Sequence, residues 1–384
     1  MSSIPEEIYH EILLSLPVKS LLICKSVCKN WYSLISTSDF VQLHLHFTTQ
    51  RNNPILMLEG SPSDKVLNFI GYDSLASSVC EFEDAAIEMH YPFKSSLHYH
   101  VRLVGSCNGL VCILLVDNDF EGFLCLWNPA TREYKKIAIP SFSIMNYEVA
   151  AFGYAHKTDD YKLVVGFMES GALLIKDSTL VQVYTLASNS WEPRQTVPYQ
   201  FPYYMQRHGV LVNGDFHWLA IAQDKFFLLC LDISDESFKE LQLLPIELLD
   251  QKHNPCINLG VLEGCLCVIF TSSVNDVTIH REVWEMLDYG VQESWTRRYI
   301  ITHENIIRNL FFYVSPLWCY ENGKILFMNA GRLVLYDPEH GSARELHEHR
   351  NVSRLAGNYI ESLVSLKSGT YVGGEGRIEE LRET

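Results

Sequence analysis

The chain has 384 residues, of which 47% are hydrophobic and 20% charged, and so large an apolar fraction excludes an intrinsically disordered protein. Lysine and arginine total 30 against 46 aspartates and glutamates, and the net charge of −16 argues against nucleic acid or an anionic membrane as the main partner. No apolar run reaches the roughly 18 residues of a membrane span, and MSSIPEEIYHE lacks the pattern of a secretory signal. We expect a soluble protein of the cytosol or nucleus, whose 11 cysteines are mostly buried free thiols.

The N-terminal part of the chain has the apolar spacing of short helices. The stripe on the first helix is formed by Ile8, Ile12, Leu13 and Leu16. The stripe continues through Leu21, Cys24, Val27, Cys28, Trp31, Leu34 and Ile35. Pro5 and Pro17 stand where prolines open helices. We therefore predict a helical module over residues 1–48, with two or three short helices between about Pro5 and Leu45.

Beyond about residue 53 the chain has the pattern of an all-β domain. Short apolar runs such as LVCILL, YKLVVGFM and FFLLCLDI are separated by clusters of Gly, Asn, Asp and Pro, and hardly any segment has a helix-length amphipathic pattern. We predict that residues 49–384 form this domain.

The predicted strands repeat. A strand, a polar turn and a second strand recur as LCLWNPATREYKKI, VQVYTLASNSWEPRQ and three later copies. The aligned residues Trp127, Tyr184, Leu231, Trp284 and Tyr336 are separated by 57, 47, 53 and 52 residues. A period near 50 with four strands per unit is typical of a kelch-like β-propeller. A weak copy at residues 66–82 makes about six blades, and a tail strand at residues 359–366 closes the ring. A pair of β-sandwiches is the alternative.

Residues 4–31, IPEEIYHEILLSLPVKSLLICKSVCKNW, resemble an F-box, with departures only at Ile4 and Cys24. A helical unit of this size cannot bury all its leucines within itself, so its surplus apolar face packs on its own β domain or on a partner. The resemblance implies the second, namely docking on the Skp-family adaptor of a cullin-RING ubiquitin ligase. The predicted adaptor-contact or near-contact residues are Pro5, Ile8, Ile12, Leu16, Pro17, Leu21, Val27, Cys28 and Trp31.

The β domain resembles the plant F-box-associated domain between about residues 100 and 300. The phrases that carry the resemblance are SCNGLVCI, LWNPATREYKKI, FGYAHKTDDYKLVV, VYTLASNSW, LVNGDFHWLA, LDISDESFKEL, LGVLEGCLCVI and VWEML. Together the two resemblances imply a non-catalytic adaptor that presents an unidentified target protein for ubiquitination. The alternatives are an F-box scaffold that acts outside degradation and a propeller lectin or enzyme.

Other residue pairs are candidates for chemistry, although packing explains them better. Cys24 and Cys28 lie beside lysines, as a reactive thiol would, but Cys28 belongs to the Val-Cys-Lys part of the F-box pattern and Cys24 to the packing of the helix. The pairs Cys265/Cys267 and His98/His100 have the spacing of two metal ligands on one strand face. The apolar run around the two cysteines instead predicts a buried strand, and a solvated or core role is the alternative for the two histidines. We predict no catalytic residue, metal or cofactor.

Target contacts are expected on loops at one propeller rim. The aromatic candidates are Tyr199, Phe201, Tyr203 and Tyr204, because aromatic side chains are good interface anchors. The acidic candidates are Asp117, Asp119 and Glu121, which suit a basic target surface. The alternatives are packing between blades for the aromatic segment and a solvated turn for the acidic one.

Overall fold

The structure is a computed structural model of the chain. The residues that it describes are 6–51, 54–60, 65–76, 86–94, 100–119, 121–139, 147–168, 178–193, 195–201, 208–223, 225–241, 256–274, 277–307, 314–329, 331–346 and 352–366. A helical module at the N-terminus is followed by a six-bladed β-propeller.

The helical module contains four helices rather than the two or three predicted. They are α1 (Glu6–Ser15), α2 (Val18–Cys24), α3 (Lys29–Ile35) and α4 (Ser38–Gln50). Pro17 directly precedes α2, as predicted, and the Cys28 sulfur accepts the backbone N–H of Trp31 at the start of α3. The Thr37 hydroxyl accepts the N–H of Phe40, so a separate helix begins there. The helix α4 continues past Leu45 to Gln50. The division of the chain into two domains at residue 48 stays a prediction.

Each blade is an antiparallel sheet of four strands, with a fifth short strand in blade 3. Blade 1 contains β1 (Ile55–Gly60), β2 (Leu67–Gly71) and β3 (Ile87–Glu88), and blade 2 contains β4 (His100–Cys107), β5 (Leu110–Val116), β6 (Gly122–Trp127) and β7 (Tyr134–Ala138). Blade 3 contains β8 (Tyr147–Ala155), β9 (Asp160–Met168), β10 (Thr179–Thr185), β11 (Ser190–Trp191) and β12 (Gln195–Val197), and blade 4 contains β13 (Val210–Val212), β14 (Asp215–Ala222), β15 (Lys225–Asp232) and β16 (Ser237–Leu241). Blade 5 contains β17 (Cys256–Leu262), β18 (Cys265–Val274), β19 (Val277–Met286) and β20 (Trp295–Ile301), and blade 6 contains β21 (Val314–Cys319), β22 (Ile325–Asn329), β23 (Arg332–Asp337) and β24 (Ser342–Glu345). Two short helices, α5 (Tyr72–Ala76) and α6 (Glu304–Ile307), lie in the connections.

The last strand closes the ring. β25 (Val352–Tyr359) pairs antiparallel with β1, with Tyr359 opposite Ile55, so both ends of the propeller sequence contribute to blade 1. This confirms the predicted closure, although the closing strand ends at Tyr359 instead of beginning there. Six of the apolar clusters lie between neighbouring sheets, and one of them joins blade 6 to blade 1.

The sequence repeat corresponds to one position in each blade. The aligned residues Trp127, Tyr184, Leu231, Trp284 and Tyr336 all lie on the third strand of blades 2 to 6. In blades 2 to 4 the partner on the fourth strand is aromatic, because Trp127 pairs with Tyr134, Tyr184 with Trp191 and Leu231 with Phe238. The propeller prediction is therefore confirmed, and the β-sandwich alternative is wrong.

The turns separate two faces of the ring. Turns between the first and second strands of a blade, and between the third and fourth, lie on what we call the lower face, and the other connections lie on the upper face. On the lower face, the Asn128 side-chain oxygen accepts the backbone N–H groups of Ala130 and Thr131, and the Asp337 carboxylate accepts those of Glu339 and His340. Each of these turns is therefore held by hydrogen bonds from its backbone to one side chain.

Candidate functional site

Among the described residues of α1, α2, α3 and the turns between them, five large apolar side chains are exposed. We call this the docking surface, and its members are Ile8, Ile12, Ile23, Val27 and Tyr32. Ile23 at the end of α2 is 69% exposed, and Val27 in the following turn is 61% exposed. Exposed apolar surface is typical of protein interfaces, since burying it against a partner removes it from water.

The predicted contact residues divide into three groups in the structure. Ile8, Ile12, Pro17, Val27 and Cys28 are exposed. Leu16 and Trp31 are half-buried at the edge of the module's core. Leu21 is completely buried, so it supports α2 from within and presents no side chain to a partner. Pro5 lies outside the described residues.

Sequence reasoning missed Ile23 and Tyr32. On α2, Val18 and Leu21 are buried, whereas Ile23 lies on the opposite side of the helix. A search for apolar residues in phase with the buried stripe cannot find such a position. Ile23 could have been found by searching for a large apolar side chain on the side of a short helix that faces away from its buried stripe.

A depression of about 510 Å³ lies beside the docking surface. It is lined by Lys25, Ser26, Cys28, Lys29, Tyr32 and Ser33. Burial lowers the pKa of Lys25, and the carboxylate of Glu133 on the propeller offsets part of that effect. Positive groups thus stand next to exposed apolar ones in a protein whose overall charge is strongly negative.

The helical module rests on the lower face of blade 2. Leu363, from the segment that follows β25, is buried in the apolar core of the module, and Ala130 of the β6–β7 turn packs against the same core. The Lys19 ammonium lies 3.6 Å from the Glu361 carboxylate. The docking surface therefore belongs to a module attached to its own propeller through other residues, chiefly Leu363.

The acidic loop lies on the upper face, between β5 and β6, at the opposite end of blade 2 from the helical module. One carboxylate oxygen of Asp117 accepts the backbone N–H groups of Asp119 (3.0 Å) and Glu121 (2.9 Å). Asp117 is half-buried and shapes the turn, whereas Asp119 and Glu121 are exposed. The two exposed carboxylates remain candidates for contact with a target.

The aromatic segment is only partly available for binding. Phe201 is 2% exposed and packs edge-on against Trp218, so its prediction as a target contact is wrong and the packing alternative describes it. Tyr199 is half-buried against Phe227, and its hydroxyl donates to the Glu240 carboxylate. Tyr203 and Tyr204 lie outside the described residues.

Among the residues that the structure describes, no three His, Cys, Asp or Glu side chains are grouped to hold a metal ion. Cys267 is completely buried, which raises the pKa of its thiol well above the usual range. His98 lies outside the described residues. No helix in the described part of the chain is long and apolar enough to cross a membrane.

Comparisons with known proteins match both parts of the chain. The model of the family "F-box associated beta propeller domain" matches residues 64–366, and that of "F-box domain" matches residues 1–43. "F-box protein CPR1" of Arabidopsis thaliana is 28% identical over 365 residues, which cover 88% of this chain and 83% of that protein. "F-box/kelch-repeat protein At3g23880" of the same plant is 27% identical over 357 residues, which cover 88% of this chain and 89% of that protein.

Proposed function

The chain belongs to the F-box-associated β-propeller family, and on that premise we propose that it is the substrate-recognition subunit of a Skp–cullin–F-box ubiquitin ligase. In this proposal the helical module binds a Skp-family adaptor, and through it a cullin-RING core. The propeller binds a target protein in the cytosol or nucleus. The subunit acts by proximity, because holding the target next to the conjugating enzyme raises the effective concentration of its lysines.

The observation that carries the proposal is the exposed docking surface. Ile8 and Ile12 lie one turn apart on α1, and Val27 and Tyr32 flank the start of α3. The module already has a core of its own and a separate attachment to blade 2. Its remaining apolar surface is therefore free for a partner, and Lys25 and Lys29 favour a partner that carries acidic groups beside its apolar ones.

We propose that the target binds the upper face. The helical module and Leu363 occupy the lower face at blade 2, whereas Asp119 and Glu121 are exposed at the other end of the same blade. A target on the upper face does not compete with the adaptor for space. The two exposed carboxylates favour a target with a basic patch, and their contribution is expected mainly in the association rate.

The test is capture of proteins from plant extract with three forms of the full chain. They are the wild type, a docking variant with Ile12→Asp and Val27→Asp, and an upper-face variant with Asp119→Asn and Glu121→Gln. The docking variant is expected to lose adaptor and cullin while it keeps the target. Loss of target by the upper-face variant alone, together with a rise in the abundance of that target in plants lacking the protein, supports the proposal. Adaptor capture with unchanged target abundance instead favours an F-box scaffold outside degradation.

A further inference from the structure

Residues 360–366, which we call the strap, follow β25 directly and cross the lower face of blade 2. Ser362 is fully buried, and its hydroxyl donates to the backbone oxygen of Asn108 in the β4–β5 turn (2.6 Å). The Asn128 amide donates to the backbone oxygens of Ser362 (3.2 Å) and Val364 (2.7 Å). Gly109 permits this close approach, because a Cβ there would stand 2.1 Å from the Ser362 hydroxyl oxygen. The strap is thus fastened to two turns of one blade.

The far end of the strap is held by one buried carboxylate. One oxygen of Glu133 accepts the Ser365 hydroxyl and the Leu366 backbone N–H, each at 2.7 Å. Glu133 is only 8% exposed, and the Leu366 side chain is buried in the apolar cluster between blades 2 and 3. Hydrogen bonds to a charged, buried acceptor are among the stronger ones in proteins, so this end is firmly attached to the propeller.

The middle of the strap faces the helical module. Leu363 is 3% exposed and completes an apolar core whose other buried members are Leu13, Leu14, Val18, Leu21, Ile35 and Phe40. The Glu361 carboxylate lies near Lys19 on α2. One short segment therefore contacts the propeller at both ends and the helical module through the side chains of Glu361 and Leu363.

We infer that the strap sets the orientation of the helical module on the propeller, with Leu363 as the positioning residue. The strap continues directly from the strand that closes the ring, so ring closure delivers Leu363 to blade 2. A fixed orientation would hold the adaptor-binding surface at a constant distance from the target face. That consequence rests on the proposed function, whereas the orientation itself does not.

The experiment is zero-length crosslinking of the purified full chain with a carbodiimide, which joins an amine to a carboxylate only where they meet. In the wild type we expect a Lys19–Glu361 crosslink, identified by mass spectrometry. Leu363→Asp is expected to abolish it and to raise the radius of gyration measured by small-angle X-ray scattering. Where circular dichroism shows that the helical module of this variant is still folded, adaptor binding should remain, because no side chain of the docking surface is changed.

Three further variants keep the inference falsifiable. Leu363→Met should restore the crosslink, and Leu287→Asp makes the same chemical change at a site on blade 5 that is 57% exposed, where it should leave the crosslink intact. If Leu363→Asp does not fold, Leu363→Ala removes the apolar contact without adding a charge and should lower the crosslink yield. A folded Leu363→Asp protein with the wild-type crosslink yield and an unchanged scattering curve would overturn the inference. If the wild type does not bind the adaptor, the proposed function is overturned, but the inferred role of the strap in orienting the helical module is not.

Discussion

At the scale of single residues, the helical module separates side chains that maintain its fold from side chains that face outward. Leu21 and Ile35 are completely buried, whereas Ile12 is 51% exposed on the other side of the same small unit. The sequence pattern identified all three as apolar positions of an F-box-like unit. It could not assign their burial, because burial also depends on Leu363, which lies more than three hundred residues away in sequence.

Substitutions at Leu21 and Ile12 should therefore act differently. Leu21→Ala leaves a cavity in the module and should reduce its stability by about 2–5 kcal/mol, with adaptor binding lost because the module unfolds. Ile12→Asp should leave the melting temperature almost unchanged and weaken adaptor binding directly. Differential scanning fluorimetry and adaptor titration on both variants separate these effects. Equal losses of stability in the two variants would contradict the assignment of Ile12 to the docking surface.

At the scale of elements, α4 is connected to the end of α1 through His44. The Nε2–H group of His44 donates to the backbone oxygen of Leu16 (2.9 Å), and the ring stacks on Phe40. Burial lowers the pKa of His44 below its usual value, and the nearby Arg51 charge lowers it further. The hydrogen bond to Leu16 offsets part of this shift. The folded module thus favours the neutral ring.

This pKa shift predicts the pH dependence of α4. The stabilising effect of neutral His44 is fully present above its unfolded-state pKa of about 6.5, and it is lost as the pH falls from there through the lower folded-state pKa. Hydrogen exchange of residues 38–50 should therefore become faster between pH 7 and more acidic solution, after correction for the intrinsic exchange rate. His44→Gln keeps a donor for Leu16 but does not titrate, so its corrected rates should change less. Parallel changes in both proteins would exclude His44 as the cause.

The elements that sequence predicted best are those set by local pattern. The third strands of blades 2 to 6 were found because Trp127, Tyr184 and their equivalents recur at a near-constant period and precede turns fixed by their own side chains. Phe201 was misjudged because its burial is created by Trp218, which belongs to the next blade. The strap was predicted as a strand, since a short apolar segment does not reveal that its backbone bonds to side chains instead of a neighbouring strand.

At the scale of the whole molecule, we propose different roles for the two faces of the propeller. The lower face of blade 2 holds the strap and the helical module, and the upper face of the same blade holds the exposed acidic loop. The strand β25 completes blade 1, which packs on blade 6, and it leads directly into the strap. The proposed adaptor and target sites therefore lie on opposite faces of the propeller, an arrangement that fits the proposed action by proximity.

The most direct test of this account is a titration of a purified Skp-family adaptor into the full chain by isothermal calorimetry. The account predicts saturable one-to-one binding by the wild type. The Ile12→Asp/Val27→Asp variant should bind at least about 100-fold more weakly, which is a loss of about 2.7 kcal/mol of binding free energy. The reason is that charge replaces apolar surface at the interface. The upper-face variant Asp119→Asn/Glu121→Gln should bind like the wild type. Absence of adaptor binding by the folded wild-type chain, or equal affinity in the docking variant, would contradict the account.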